Sequence, residues 1–166
     1  LDEIGHLTQA LNIMLEALRK RRLEVEGYAR TLEKRVNERT TDLVASEEKY
    51  RKLVENVPLV VYRVLRDGRT EFVNSYMTDK LGYTVEEAVT DNRFWRDKMS
   101  GADINAFHLI NDQCFKKGEE CRIETRLRSK DGRLLDFITH VIPYKDKNGT
   151  VQWIDGISLD ITELKK

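Results

Sequence analysis

Before Pro58, apolar residues recur at steps of three and four positions in a strongly polar background. Such steps form the narrow a/d seam of a coiled coil. A helix of about 55 residues, rising about 1.5 Å per residue, would far outreach a domain of about 100 residues. The pattern therefore predicts a parallel homodimer of this helix, and the alternative is one amphipathic helix packed on the C-terminal half. The predicted seam consists of Leu7, Leu11, Met14, Leu18, Val25, Leu32, Val36, Leu43 and Tyr50.

The middle of this seam is irregular. The step from Leu32 to Val36 repeats a spacing of four, which is a stutter that locally unwinds a supercoil. Three basic residues, Arg21, Arg35 and Arg39, also fall on or beside the seam. We therefore expect a marginal coiled coil with two packings of similar energy.

The remainder of the chain predicts five strands. The segments LVVYRVL and TEFVN flank the turn RDGR, and CRIETRLR, LLDFITHVIPY and TVQWIDGISLDI follow later. The last three are separated by turns with the hairpin dipeptides Asp131-Gly132 and Asn148-Gly149. Helical segments lie between the second and third strands. This order predicts an α+β fold, a five-stranded antiparallel sheet with helices on one face, preceded by the long N-terminal coiled-coil helix.

Capping residues mark the helices between the strands. The segment SYMTDKLGY predicts a short helix that ends at Gly82. Thr84 and Glu87 have the spacing of a capping box for the next helix. Asp103 is the predicted N-cap of a longer helix that ends at Gly118.

Composition and charge exclude several function classes. The 166 residues suffice for one domain and an appendage. Lys+Arg and Asp+Glu both number 29, which argues against a nucleic-acid partner, because such a partner requires a basic stripe. The uncharged run Ile4–Leu15 is shorter than the roughly 20 residues of a membrane span. Because the chain begins with Leu inside a helical pattern, without a signal peptide, we expect a fragment of a longer protein.

Catalytic motifs are absent from the sequence. It contains no glycine-rich phosphate loop, nucleophile elbow or H-E-x-x-H motif, so no catalytic residue is predicted and the segment is not expected to be an enzyme. Cys114 and Cys121 lack zinc-ligand spacing and are interpreted as buried, small apolar groups.

Several fragments, in order, resemble a PAS domain: VPLVVYRV, FVN, LGYTVEEAV, KKGE, RSKDGR and DGISLDIT. The N-terminal sequence DEIGHLTQALNIMLEAL resembles the second helix of a HAMP domain. LEKRVNERTTDL resembles the signalling helix that joins sensor modules, with Glu38, Arg39 and Thr40 at its characteristic position. These resemblances imply a HAMP-like helix over 1–22, a signalling helix over 23–56, a PAS domain over 57–162 and the start of an exit helix over 163–166.

The order of these segments implies a bacterial two-component or related receptor. The chain would be the cytoplasmic portion of an inner-membrane protein, and the membrane would be reached only through missing upstream segments. The effector beyond Lys166 would be a histidine kinase or a diguanylate cyclase. Such a chain would sense a ligand, or its PAS domain would be filled and serve only for dimerisation and relay.

A PAS fold implies a cavity between its long helix and its sheet. Asn111 and Cys114 interrupt the inward stripe of that helix, and the alternative for them is a satisfied core position. The other side chains of the expected wall are more often plain core residues. The candidate pocket residues are Tyr62, Phe72, Met77, Phe94, Trp95, Phe107, Asn111, Cys114, Ile123 and Trp153.

A cofactor is a third possibility. His108 is the weak candidate for a haem ligand, since haem-binding PAS domains take a histidine from this helix. The stretch DNRFW resembles a flavin photosensor motif but lacks the cysteine between Asn92 and Arg93. The sequence thus leaves no cofactor, an unknown small molecule, haem or flavin open, and it predicts no other metal site.

The closing D-I-T sequence implies a role in signal transmission. Thr162 is placed to cap the exit helix. Asp160 could accept a hydrogen bond from a basic group such as Arg63, or act only in local turn capping. If Asp160 links the sheet edge to the exit helix, replacing it should uncouple signal from output.

Overall fold

The chain folds into two units in a computed structural model. The model describes residues 2–165, apart from the side chain of Ala102. One unit ends at Tyr50 and the other begins at Arg51.

The first helix, α1, runs without a break over Asp2–Asn56 and contains no buried residue. The nine predicted seam residues are all exposed, by between 51% at Leu11 and 72% at Leu7. Ion pairs one turn apart, such as Arg22–Glu26 at 2.9 Å, lie along its surface. Glu38, Arg39 and Thr40 are exposed as well.

The second unit is built on a five-stranded antiparallel sheet, as the sequence predicts. The strand order is β2-β1-β5-β4-β3, so the first and last strands of the unit pair at the centre of the sheet. The strands are β1 Val60–Leu65, β2 Thr70–Val73, β3 Cys121–Arg128, β4 Leu134–Lys145 and β5 Val151–Asp160.

The helices between β2 and β3 complete this unit. They are α2 Tyr76–Leu81, α3 Val85–Thr90, α4 Phe94–Lys98 and α5 Ile104–Leu109, followed by the π-helical turn Ile110–Lys116. Short 3₁₀ turns cover Gly101–Asp103 and Thr162–Lys165. The predicted capping box is confirmed, since Thr84 and Glu87 each accept a hydrogen bond from the backbone N–H of the other.

The start of the long helix differs from the prediction. Asp103 makes no side-chain capping bond, and its carboxylate accepts a hydrogen bond from the Ser100 hydroxyl instead. The reason is the 3₁₀ turn Gly101–Asp103, which leads directly into α5, so Asp103 already belongs to a helical turn. The helix also widens to π geometry at Ile110–Lys116, which a period of 3.6 residues cannot indicate.

The core lies between the sheet and the helices. Every second residue of β1, namely Val60, Tyr62 and Val64, is buried, as expected for a strand with one face on the core. Phe137 of β4 and Met77 of α2 are fully buried in the same cluster.

Candidate functional site

A cavity of about 290 Å³ lies between β1, β5 and the segment from α4 to the π-helical turn. Its walls are mainly apolar: Tyr62, Val64, Trp95, Met99, Phe107, Ile110, Phe115 and Ile154. Its polar lining consists of Arg66, Asp67, Gly68, Asn92, Arg93, Arg96 and Asn111. A concave site that combines apolar walls with convergent polar groups is typical of small-molecule binding.

Two stacked aromatic rings form one wall of this cavity. The Tyr62 and Trp95 rings lie 4.5 Å apart at 29°, and Trp95 Nε1 donates a hydrogen bond of 3.0 Å to Thr70 Oγ1. A Cβ atom on Gly156 would lie 2.1 Å from the Tyr62 ring, so glycine lets the ring rest on the backbone of β5. Burial, reinforced by the nearby cysteines, raises the pKa of Tyr62, which keeps the phenol neutral.

Arginines surround the mouth of the cavity. Arg66, Arg93 and Arg96 line it and are exposed. The neighbouring carboxylate of Asp67 is already bound to Arg69, with 2.7 Å between Oδ2 and Nε. Arg96 lies 3.5 Å from a carboxylate oxygen of Asp97. Arg66 and Arg93 form no ion pair with any carboxylate of residues 2–165, so the mouth is electropositive.

The structure places the ten predicted pocket residues in four environments, of which three lie on the inner side of the sheet. Tyr62, Trp95, Phe107 and Asn111 line the cavity. Ile123 borders a separate void of about 20 Å³ on the other side of Tyr62 and Trp95. The remaining inward residues, Met77, Phe94 and Cys114, are buried in the core.

Phe72 and Trp153 lie on the opposite face of the sheet, which corrects their assignment to the pocket. Phe72 is paired with Arg63 in the register of β1 and β2. Trp153 stacks on Tyr144 with 3.9 Å between ring centroids, and the Arg63 guanidinium lies 4.6 Å from its ring. The physical reason is strand alternation, since Tyr62 and Val64 face the cavity and their neighbours face away.

Sequence analysis missed Met99 and the arginines of the mouth. These arginines come from the β1–β2 turn and from the segment around α4, which are far apart in the chain. The only signal in the sequence was the arginine content of RDGR and DNRFWR, and it acquires meaning only when folding brings the two segments together.

The histidines and cysteines do not contribute to the lining. His108, the haem candidate, is exposed beside Phe107, with 6.2 Å between ring centroids. Cys121 is only half-buried, contrary to expectation, and its Sγ lies 3.1 Å from Sγ of Cys114. Burial raises the pKa of the Cys114 thiol to about 12. Within residues 2–165, no group of three or more His, Cys, Asp or Glu side chains could hold a metal ion.

A buried amide joins the end of α1 to the sheet. Asn74 is fully buried and accepts a 3.0 Å hydrogen bond from the Val61 N–H. Its amide donates to the carbonyl oxygens of Val54 at 3.0 Å and Leu59 at 2.9 Å. The next residue, Ser75, donates its N–H to the Glu55 carboxylate at 2.7 Å. We call these bonds the N-terminal junction.

A carboxylate joins the end of β5 to α2. Asp160 accepts hydrogen bonds from the N–H and hydroxyl of Thr162, at 3.0 and 2.6 Å, and Lys80 Nζ lies 3.1 Å from its other oxygen. The Thr162 hydroxyl accepts from the Asp136 N–H at 3.0 Å, so Thr162 bonds the sheet rather than capping a helix. We call these bonds the C-terminal junction.

The expected partner of Asp160 was wrong. Arg63 instead binds Asp155, with 2.7 and 3.0 Å between donor and acceptor atoms, because Asp155 lies directly opposite it in the register of β1 and β5. Burial raises the pKa of Asp160, but the hydrogen bonds from Thr162 and the charge of Lys80 together outweigh it, and the pKa lies below its ordinary value.

Comparisons with known proteins agree with this architecture. The chain is 27% identical over 121 residues to the uncharacterized protein y4lL of Sinorhizobium fredii. The matched segment covers 73% of this chain but only 14% of that relative. The N-terminal domain of a diguanylate cyclase with PAS/PAC sensor from Marinobacter aquaeolei matches with a TM-score of 0.57 and 17% identity, covering 65% of this chain and 99% of that domain. A domain of a putative light and redox sensing histidine kinase from Haloarcula marismortui matches with a TM-score of 0.58 and 17% identity, covering 69% and 99%.

Across residues 2–165, no helix combines the length and the apolar character needed to cross a membrane.

The family model agrees with the sheet unit. The model of the PAS fold matches residues 70–158, which is more than half of the chain and covers β2 to β5. The chain therefore belongs to the PAS fold family, whose domains are sensory modules without a catalytic centre of their own.

Proposed function

We propose that this chain is the sensory and signal-relay segment of a dimeric bacterial receptor. Residues 57–162 would sense a small ligand, and residues 23–56 would pair as a signalling helix that continues a HAMP-like segment over 1–22. Residues 163–166 would lead to a C-terminal effector. Since neighbours of the same fold include a PAS/PAC sensor of a diguanylate cyclase and a domain of a putative sensing histidine kinase, we infer an effector of one of these kinds. The receptor would be anchored in the inner membrane through other segments, with this chain in the cytoplasm.

The exposed seam of α1 is the observation that carries the proposal. The seam residues repeat at coiled-coil spacing, and none of them is buried in the single chain. Burying one leucine side chain is worth about 2 kcal/mol, so nine such positions favour association with a second helix. The same helix of another copy presents the matching pattern, and a parallel pair places its two sensory domains on the same end.

A relay also requires a path through the sensory domain, and α2 offers one. Asn74 and Ser75, which directly precede α2, bond the last turn of α1. Lys80, in the last turn of α2, binds Asp160 where the chain leaves the sheet. A displacement at the N-terminal junction would therefore reach the C-terminal junction through one short helix, provided that α2 has two alternative positions.

The seam is tested by the association state of the whole chain. Sedimentation equilibrium over the micromolar range should show a dimer, and the double variant Leu11→Asn/Leu18→Asn should shift it strongly toward monomer. Leu23→Asn is the matched control, because Leu23 is 69% exposed but lies at the outermost position of the same heptad. A wild-type chain that stays monomeric, or a control that dissociates as much as the seam variant, would contradict the proposed pairing.

The relay is tested in a full receptor that contains this segment. Asp160→Ala should abolish the change in effector output on stimulation, while the isolated chain keeps its circular dichroism spectrum. Unchanged signalling, or loss of the folded state, would refute the role of Asp160.

A further inference from the structure

The chemistry of the cavity narrows the class of ligand. We propose that the cavity binds a small organic anion with a flat apolar body, such as an aromatic carboxylate. The anionic group would lie at the mouth and the apolar body inside. This inference rests on the sensory function proposed above and adds the identity of the ligand class.

The interior of the cavity selects a flat, apolar body. The Tyr62 and Trp95 rings present an aromatic surface, and Met99, Phe107 and Phe115 add apolar walls. The polar end of Trp95 is already satisfied by Thr70. An aromatic ring gains most from such a site, because it buries apolar area and can stack on the wall.

The mouth selects a negative charge. Arg66 and Arg93 line it without a carboxylate partner among residues 2–165, and Asp67 is engaged by Arg69. Guanidinium groups bind carboxylates through two parallel N–H donors, which gives both strength and orientation. The adjacent amides of Asn92 and Asn111 supply further donors.

The volume sets the size of the ligand. Cavities for drug-sized ligands span roughly 300 to 1,000 Å³, and about 290 Å³ lies at the lower limit. A ligand with a single ring and a short acidic side chain fits this volume. A larger apolar molecule would have to displace the aromatic wall, in which the Tyr62 ring lies against Gly156 and Trp95 is bound to Thr70.

The experiment compares acids with their neutral amides. The probes are phenylacetate and 3-phenylpropionate, with phenylacetamide and 3-phenylpropionamide as matched neutral compounds. Calorimetric titration of the whole chain at neutral pH measures the affinities. Trp153→Phe leaves Trp95 as the only tryptophan, so its fluorescence gives a second readout from the cavity wall.

The expected result is a preference for the acids of at least about tenfold, which corresponds to one charge-assisted contact. The double variant Arg66→Gln/Arg93→Gln should remove this preference, and added salt should reduce it. Arg122→Gln, which changes an exposed arginine of β3 outside the cavity, should leave the preference intact.

Three results would overturn the inference. These are equal affinities for acids and amides, equal losses in the double variant and in Arg122→Gln, and no binding of any probe. If acids and amides bind equally, the cavity still receives ligands, and only the anionic class falls. A wild-type chain that stays monomeric, or unchanged signalling in Asp160→Ala, with the acid preference intact, would refute the proposed pairing or relay and leave the ligand class standing.

Discussion

The two units of this chain differ in where their apolar side chains go. In the sheet unit, β1, β4, β5 and α2 bury their apolar residues against one another in one cluster. In α1, residues of the same types recur at coiled-coil spacing, yet no residue of that helix is buried. An apolar pattern therefore predicts which face can be covered, but not which surface covers it; for α1 we propose that a second copy of the helix does so.

Removal of core volume should give the largest difference between the units. Phe137→Ala, at a fully buried position, should lower the free energy of unfolding of the sheet unit by about 4 kcal/mol because it leaves a large cavity. Leu23→Ala in α1 should change it by less than about 0.5 kcal/mol. Urea denaturation followed by tryptophan fluorescence measures this, since both tryptophans lie in the sheet unit. Equal effects of the two variants would remove the contrast between the units.

The N-terminal junction should give the next largest effect. Asn74→Ala removes three hydrogen bonds and leaves partly buried backbone groups unpaired, so we expect a loss of about 3 kcal/mol. Asn56→Ala is the control, because its amide donates only to the Lys52 carbonyl on the exposed surface of α1. Hydrogen exchange at Val61 should accelerate in the first variant alone. Unchanged exchange there would show that Asn74 does not hold the junction.

Two glycine replacements should act in opposite directions. Gly156→Ala forces a Cβ against the Tyr62 ring and should destabilise the sheet unit by about 2 kcal/mol. Gly27→Ala meets no atom within 4 Å and should stabilise α1 by about 0.5 to 1 kcal/mol, since alanine is the better helix former. Thermal denaturation followed by both fluorescence and circular dichroism separates the two responses. A tolerated alanine at position 156 would mean that the Tyr62 ring can move.

The smallest expected effect belongs to the C-terminal junction. Asp160→Asn should cost about 1 kcal/mol at neutral pH, because it weakens the bonds with Lys80 and Thr162. The folded pKa of Asp160 lies below its ordinary value of 3.8. The stabilisation is therefore complete above that ordinary value and is lost as the pH falls through the lower folded pKa.

Denaturation at a series of pH values measures this dependence. The difference between the wild type and Asp160→Asn should shrink toward zero in acid, whereas Asp79→Asn, at an exposed position of α2, should show little difference at any pH. A difference that persists unchanged in acid would mean that the Asp160 carboxylate does not supply the stabilisation.

Local patterns predicted most of the fold. Strand alternation located all five strands, the Thr84–Glu87 spacing located a capping box, and the hairpin dipeptides located two turns with glycine in the left-handed region. Each of these signals depends on residues close together in the chain. The errors arose where a position depended on distant partners, as for Phe72 and Trp153, whose face is set by the register between strands, and for Arg63, whose partner is Asp155.

The sequence by itself determined a long polar helix with a narrow apolar seam, followed by a domain with a five-stranded sheet, because hydrophobic periodicity and turn chemistry are local properties. The tertiary structure alone decided which side chains share the cavity, which arginines surround its mouth, and that Asn74 and Lys80 connect α2 to the two ends of the domain. These features join residues that are far apart in the chain. Their positions follow from packing and strand register, which no local pattern specifies.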